Sequence, residues 1–300
     1  MANIISTGSH PKLLFPGLHK VCMAEYNSWE EEYSQVFDVQ STDKNYEEDV
    51  EITAFDLAQV KAEGSAFAYT GHSQGFTKRY TPVAYGLGFI VTYEEMQDNQ
   101  YLTKGVKRAK LLARSFRIAK EIVHFNVFNR AFDSAYLGGD GLELVSTAHA
   151  TVSGTMSNKL ATNADLSEAS LEDMLTMIRV AKNSKGHPIQ LKEKTLLVSP
   201  YERFNAQRIL QSNLQNDTNL NAKNIVGSLG IKLMVGTYLT DNDAWFMTTD
   251  VDAGLQSFKR QGYTFAQDND FDTKNAKHAG YERYVPGWTD WRGVYGTPGA

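Results

Sequence analysis

From Tyr93 to about Asp133 the chain has no proline and a single glycine, Gly105. Across it Leu102, Val106, Ala109, Ala113, Phe116, Ala119, Val123, Val127 and Ala131 recur at steps of three and four. That is the period of one helix face. Thr92 with Glu95 three residues later makes a capping box, and Glu94 and Asp98 suit the positive end of a helix dipole. Some 35–40 residues at about 1.5 Å each predict a rod of roughly 55–60 Å. Heptads are not sustained, so it is a spine with one face on a core and not a coiled coil. The 300 residues, 42% hydrophobic and 22% charged, are enough to build that core as one large domain or two ordinary ones.

The spine is also where positive charge concentrates. Seven bases (Lys104, Lys107, Arg108, Lys110, Arg114, Arg117, Lys120) lie between Lys104 and Lys120 with no acid among them. Between Glu30 and Glu51 nine acids (Glu30, Glu31, Glu32, Asp38, Asp43, Glu47, Glu48, Asp49, Glu51) face one base, Lys44. Two solvated faces would account for this pattern. The sharper expectation is that the acidic arm lies on the basic helix, in the same subunit or a neighbour. The net charge of −5 argues against a chain whose main task is gripping phosphate backbones.

Before the spine, Glu51 to Val91 reads as extended. Its aromatic and β-branched residues, Phe67 to Val91, are punctuated across the segment by Gly64, Gly71, Gly75, Pro82, Gly86 and Gly88, which predicts a long hairpin that packs weakly on its own subunit. After the spine, a helix is expected from Ser167 or Ser170 to Asn183, with Leu171, Met174, Leu175 and Ile178 on one face. A short buried strand follows at 195–198. A helix is expected to open at Ser199-Pro200-Tyr201-Glu202, with Ser199 as its cap. Strands are expected at Ile231–Val235 and Ala244–Thr248, and from Gly254 to Ala300 the chain is extended and aromatic. Helices and strands mix without βαβ regularity, so the class is α+β.

Catalytic signals are weak. Gly71-His72-Ser73-Gln74-Gly75 matches the G-x-S-x-G elbow of serine hydrolases, in which a strand turns sharply into a helix. Here Pro82 and alternating residues follow where a helix must begin, so a hairpin tip is preferred. The seven histidines have no ligand-like spacing, and His124 reads as a packed or surface side chain. Gly138-Gly-Asp-Gly141 lacks the Lys and Ser/Thr of a phosphate loop and reads as a turn. Asp268, Asp270 and Asp272 alternate as in a calcium loop, without its sixth-position Gly and twelfth-position Glu. No cofactor or metal is expected. The single Cys22 excludes an intrachain disulfide and suits a reducing cytosol. Residues 1–9 lack a basic region leading into an apolar one, so no secretion signal is expected, and no apolar run approaches the roughly 20 residues of a membrane span.

The order of parts (acidic arm, long hairpin, spine helix, compact mixed segment, aromatic return) carries a resemblance. So do the stretches Tyr85-Gly-Leu-Gly-Phe-Ile-Val-Thr-Tyr-Glu-Glu-Met-Gln-Asp-Asn99, Leu160-Ala-Thr-Asn-Ala-Asp-Leu-Ser-Glu-Ala-Ser170, Leu239-Thr-Asp-Asn-Asp-Ala-Trp-Phe246, Asn269-Asp-Phe-Asp-Thr-Lys-Asn275 and Gly287-Trp-Thr-Asp-Trp-Arg-Gly-Val-Tyr295. Over nearly its whole length the chain resembles the major capsid (head) proteins of tailed bacteriophages with the HK97-type fold, in the branch of Mu-like prophage head subunits.

The resemblance implies an N-terminal arm over 1–50, an E-loop over 51–91 that lies on a neighbour, and a peripheral P-domain over 92–165 completed by strands in 250–300. It implies an A-domain over 166–249, whose loops meet around hexamer and pentamer axes. The implied function is structural and not enzymatic: self-assembly into an icosahedral head around double-stranded DNA, held non-specifically. The chain would be made in the host bacterial cytoplasm and end in the virion, with scaffold, portal and decoration proteins as further partners. Two alternatives stand beside it, a bacterial nanocompartment shell of the same fold and a serine hydrolase using Ser73. Glu30, Glu31, Glu32, Glu47, Glu48 and Asp49, with Lys104, Lys107, Arg108, Arg114 and Arg117, are the expected electrostatic contacts between subunits. Some members join a Lys to an Asn covalently under a catalytic Glu. Lys61 and Lys78 lie in the E-loop, but no motif assigns them partners.

Overall fold

The computed structural model describes residues 11–98, 101–212, 214, 223–270 and 272–300. Residues 1–9, Asn99, Phe271 and the side chain of Leu102, all used in the sequence reading, lie outside the described residues. The chain order is α1 (Pro11–Ser28), β1 (Asp38–Ser41), β2 (Glu47–Ile52), β3 (Gln74–Tyr80), β4 (Val83–Val91), α2 (Tyr93–Gln97) and α3 (Tyr101–Asn129). Then come β5 (His149–Thr151), β6 (Gly154–Met156), α4 (Glu168–Arg179), β7 (Glu193–Val198) and α5 (Arg203–Gln211). Last are β8 (Lys232–Val235), β9 (Trp245–Thr249), β10 (Leu255–Asn269), β11 (Ala276–Trp288) and β12 (Val294–Thr297).

Two four-stranded sheets organise these parts. The first has the order β1-β10-β11-β4, and its centre is the long antiparallel ribbon of β10 and β11. The aromatic return forms that ribbon, as its residue types predict. Its inner face meets α3 and α1 in a core of Leu18, Cys22, Tyr26, Val91, Ala109, Leu112, Ala113, Phe116, Tyr263 and Phe265. The approach is close enough to require glycine at Gly280, where a Cβ would lie 2.5 Å from Phe116 Cε2 and 2.8 Å from Tyr263 Cε2. The second sheet, β12-β9-β7-β8, backs onto α4 and α5 around Leu171, Met174, Ile178, Leu196, Trp245 and Met247. Phe125 and Phe128, at the end of α3, join the two through Phe246, Leu197 and Met234.

The spine departs from the single rod predicted. Thr92 does accept from the Glu95 backbone N–H, but α2 closes at Asp98, where ψ is 9°. The main helix is α3, whose 29 residues span roughly 43 Å. It ends at Asn129, four residues early, because that side chain leaves the helix to bond the opposite lobe. Its Nδ2 donates to the Tyr238 carbonyl at 3.1 Å, and its Oδ1 accepts from the Thr240 N–H at 3.0 Å. An Asx turn at Asp133 then reverses the chain.

Other boundaries also move. α1 occupies what the sequence reading treats only as an acidic arm. Its signal is Leu18, Cys22 and Tyr26 at steps of four, all buried, and Pro16 and Gly17 within the helix obscured it. α4 opens at the earlier of its two expected starts and ends at Arg179: Ser167 is the cap, and it forms a reciprocal capping box with Ser170 over a buried face of Leu171, Met174, Leu175 and Ile178. α5 does not start at Ser199. That hydroxyl donates to the Asn242 carbonyl at 2.6 Å instead, residues 200–202 form a turn, and the helix opens at Arg203. The last strand, β12, pairs with β9, so residues 294–297 return to the second sheet and not the first.

Candidate assembly surfaces

The hairpin that leaves the body is built from β2 and β3, paired antiparallel from Glu47–Tyr80 to Ile52–Gln74. It therefore starts four residues earlier than the sequence suggests, and β4 belongs to the body, zipped along β11. Acids of β2 face bases of β3: Arg79 Nε lies 2.8 Å from Glu48 Oε1, and Asp49 pairs in register with Lys78. Two contacts fix the hairpin root. Lys78 Nζ donates to the Leu137 carbonyl at 2.9 Å, above the Trp288 ring, and buried Arg292 reaches Glu51 Oε1 at 3.4 Å. Burial pushes the Glu51 carboxyl above its usual range although Arg292 opposes the shift.

Beyond the root, residues 53–73 have no regular structure, and their apolar side chains point into solvent. Phe67 is 70% exposed, Tyr69 93% and Val60 fully so, with Phe55 and Leu57 beside them. Water-facing aromatics clustered on one projecting segment mark an association surface more readily than a monomer surface does. Ser73 sits at its neck. Its hydroxyl and its backbone N–H both meet Thr53 Oγ1, at 3.1 and 2.8 Å. The residue after it opens strand β3, and His72 turns to the Phe55 ring. The strand-to-helix turn of a nucleophile elbow is therefore absent here.

The charged arm and spine meet partly within one chain. Arg117, buried, bonds Glu31 and donates to the Trp29 carbonyl at 2.8 Å. Arg114 and Lys110 both reach Glu25, on α1, an acid outside the stretch singled out in the sequence. Arg108 pairs with Glu95 at 2.8 Å. Glu32 accepts from the Thr237 N–H and hydroxyl, tying the arm to the second lobe. Glu47 bonds Lys44 at 2.9 Å, whereas Glu30, Lys104 and Lys107 are exposed.

Sequence reasoning missed the buried acids behind this arm. Both Glu121 oxygens accept backbone N–H groups, from Glu32 and Tyr33, at 3.0 Å each. Burial outweighs those bonds and pushes its carboxyl up to about 7. A carboxyl raised on folding stabilises the fold below its unfolded value near 4.3 and stops doing so as pH climbs through 7. Between pH 5 and 8 the subunit is therefore expected to lose up to about 3 kcal/mol at this site, and Glu121→Gln should flatten that loss. Urea midpoints of both proteins at the two pH values check it. His124 is packed between helix and sheet, bonding the Lys120 carbonyl and Ser257 Oγ, and burial pushes it down to about 3. Asp270 bonds Lys277 and the Asp272 N–H in the turn between β10 and β11. Asp140, in the glycine turn, bonds buried His149, which stacks on Trp291.

The sequence pattern of the phage capsid protein family matches residues 75–297, from the first residues of β3 through β12. The chain belongs to that family. No curated protein sequence matches it. Among solved structures, the virus-like particle of Pyrococcus furiosus is similar, with a TM-score of 0.54 and 12% identity, over 94% of this chain and 98% of that one. The procapsid of bacteriophage JBD30 gives 0.54 and 12%, over 97% and 76%. Microbacterium phage Oxtober96 gives 0.55 and 10%, over 90% and 91%. At such identities the likeness shows the fold, which is the HK97-like α+β capsid fold expected from the sequence. As a member of this family the protein is a structural major capsid protein, and a hydrolase at Ser73 finds no support.

Proposed function

We propose that copies of this chain close into an icosahedral head of hexamers and pentamers around double-stranded DNA. The observation that carries the reading is the hairpin over residues 47–80, whose apolar tip stays in water in the single subunit. In this account the hairpin is the E-loop and lies on a neighbour. The first sheet with α1 and α3 is the P-domain, and the second sheet with α4 and α5 is the A-domain, completed by β12. Many modest contacts, repeated around each subunit, hold such a shell by multivalency. The capsid family match favours a phage head over a nanocompartment. The Mu-like branch, the production in the host cytoplasm, and scaffold, portal and decoration partners are part of the same proposal.

The charges left outward extend it. Glu30, Lys104 and Lys107, with the partly solvated Glu32, Glu47, Glu48, Arg108 and Arg114, are proposed to meet neighbours, as is Asp49, while Glu31 and Arg117 hold the arm in place. Reversing Lys104 and Lys107 together is expected to leave the subunit folded and to move the salt concentration at which shells dissociate by about twofold or more. Unchanged dissociation, read by light scattering across a salt series, contradicts that role. For the shell itself, sedimentation and negative-stain microscopy of purified protein decide: closed particles support it, and a small monodisperse species without particles overturns it.

A further inference from the structure

The hairpin tip touches its own subunit through one polar staple. Lys185 Nζ, in the turn after α4, lies 2.8 Å from Asp56 Oδ1, and the other oxygen of Asp56 accepts from Thr70 Oγ1 at 2.5 Å. Asp56 thus binds the two legs of the tip to each other and the tip to the second lobe. Lys185 is the more buried partner, with its side chain 20% exposed.

The turn that carries Lys185 is the rim of a cleft. A hollow of about 500 Å³ opens between the β5–β6 hairpin, the end of α4 and the chain before β12, lined by Met156, Met177, Val180, Gly186, Trp291 and Tyr295. Its lining is mixed, with Ser153, Thr155, Ser157 and Lys182 beside the apolar side chains, and Val180 on it is 62% exposed. The chain's own tip stops at this rim. Asp56 reaches Lys185, yet Phe55, Leu57, Phe67 and Tyr69 stay in water and leave the cleft unfilled. Tip and cleft therefore complement one another, an acid beside aromatics facing Lys185 and a hollow that holds Lys182 together with Met156, Met177, Val180 and Trp291, without being closed on one another.

We propose that this cleft receives the hairpin tip of a second copy, with the Asp56–Lys185 staple remade between subunits. It rests on the shell reading and specifies where the E-loop of one subunit lands on the next. An ion pair with a largely solvated partner contributes little to stability, so releasing it within the subunit costs little. Burying aromatic side chains contributes far more, in proportion to the apolar area removed from water. Contacts that one chain makes with itself are available to an identical neighbour, and exchange between copies is a low-cost route to assembly.

A zero-length carbodiimide tests this on the unmodified protein, because it joins a carboxylate and an amine already in contact as an amide. At limiting reagent, free subunits and purified shells are cross-linked and separated on a denaturing gel, and each band is searched for the Asp56–Lys185 linked peptide. Free subunits should hold it in the monomer band, and shells should hold it in the dimer and higher bands. Shells that hold it only in the monomer band, or in none, overturn the inference and leave the shell reading standing. A chain that forms no shells overturns both.

Discussion

Replacing residues 54–72 with a short Gly/Ser turn is expected to abolish closed shells while leaving the subunit folded. Ile52 and Gln74 are paired across the β2–β3 hairpin, so a short turn can join them. The removed segment contributes no strand, and the side chains it takes away are mostly in solvent. Its loss should move the thermal midpoint by only a few degrees, as expected for a change of about 1 kcal/mol or less. The interface loses five exposed apolar side chains on every subunit at once, and multivalency multiplies that loss over the lattice. Circular dichroism and sedimentation separate the two effects. A shortened chain that still forms particles would show that the tip is ornamental.

The second large effect lies inside the subunit. Lys120 on the spine and Glu282 on β11 are both buried and face each other at 3.9 Å. Tyr26, from α1, donates its hydroxyl to the same Glu282 oxygen at 3.1 Å, and Lys120 Nζ lies over the rings of Tyr33 and Tyr284. The other oxygen of Glu282 has no hydrogen-bond partner among the described residues. Burial pushes the lysine down and the glutamate up, so desolvation outweighs this loose pairing for both groups. Removing one partner leaves the other buried and uncompensated. Lys120→Met is expected to cost about 3–5 kcal/mol, and the double change with Glu282→Leu should recover most of that. The single variant should lose more stability at pH 8 than at pH 5. Glu282 is then held further above its unfolded value, with Arg117 the one cation left to oppose the shift, and a raised carboxyl stabilises only while protonated. Urea unfolding at both pH values reads each claim, and a double variant no better than the single one contradicts the second.

Much of this was legible in the sequence because local rules and tertiary packing agreed. The helix start near Ser167, the apolar face of α4 and the extended aromatic run of the return strands each follow a local rule that packing preserves. The failures have separate physical causes. α1 was hidden because Pro16 and Gly17 lower helix propensity, while three buried side chains four residues apart decide the matter in space. The spine ended early because Asn129 found partners on another lobe, which no local pattern encodes. The charge asymmetry of arm and helix was visible. That Glu25 would take Arg114, that Glu47–Asp49 would become a strand, and that Glu121 and Lys120 would be buried are facts of tertiary arrangement. The hairpin was legible as extended and outreaching, but its root and its staple were not.

The central claim is that the hairpin of one copy lies on the next within a closed shell. A cryo-electron microscopy reconstruction of particles assembled from the purified chain measures this directly. The account predicts hexamers and pentamers in which residues 53–73 of each subunit cover a neighbour and Phe67 and Tyr69 are buried there. Particles whose hairpins fold back on their own subunits, or a protein that forms no particles at all, would contradict it.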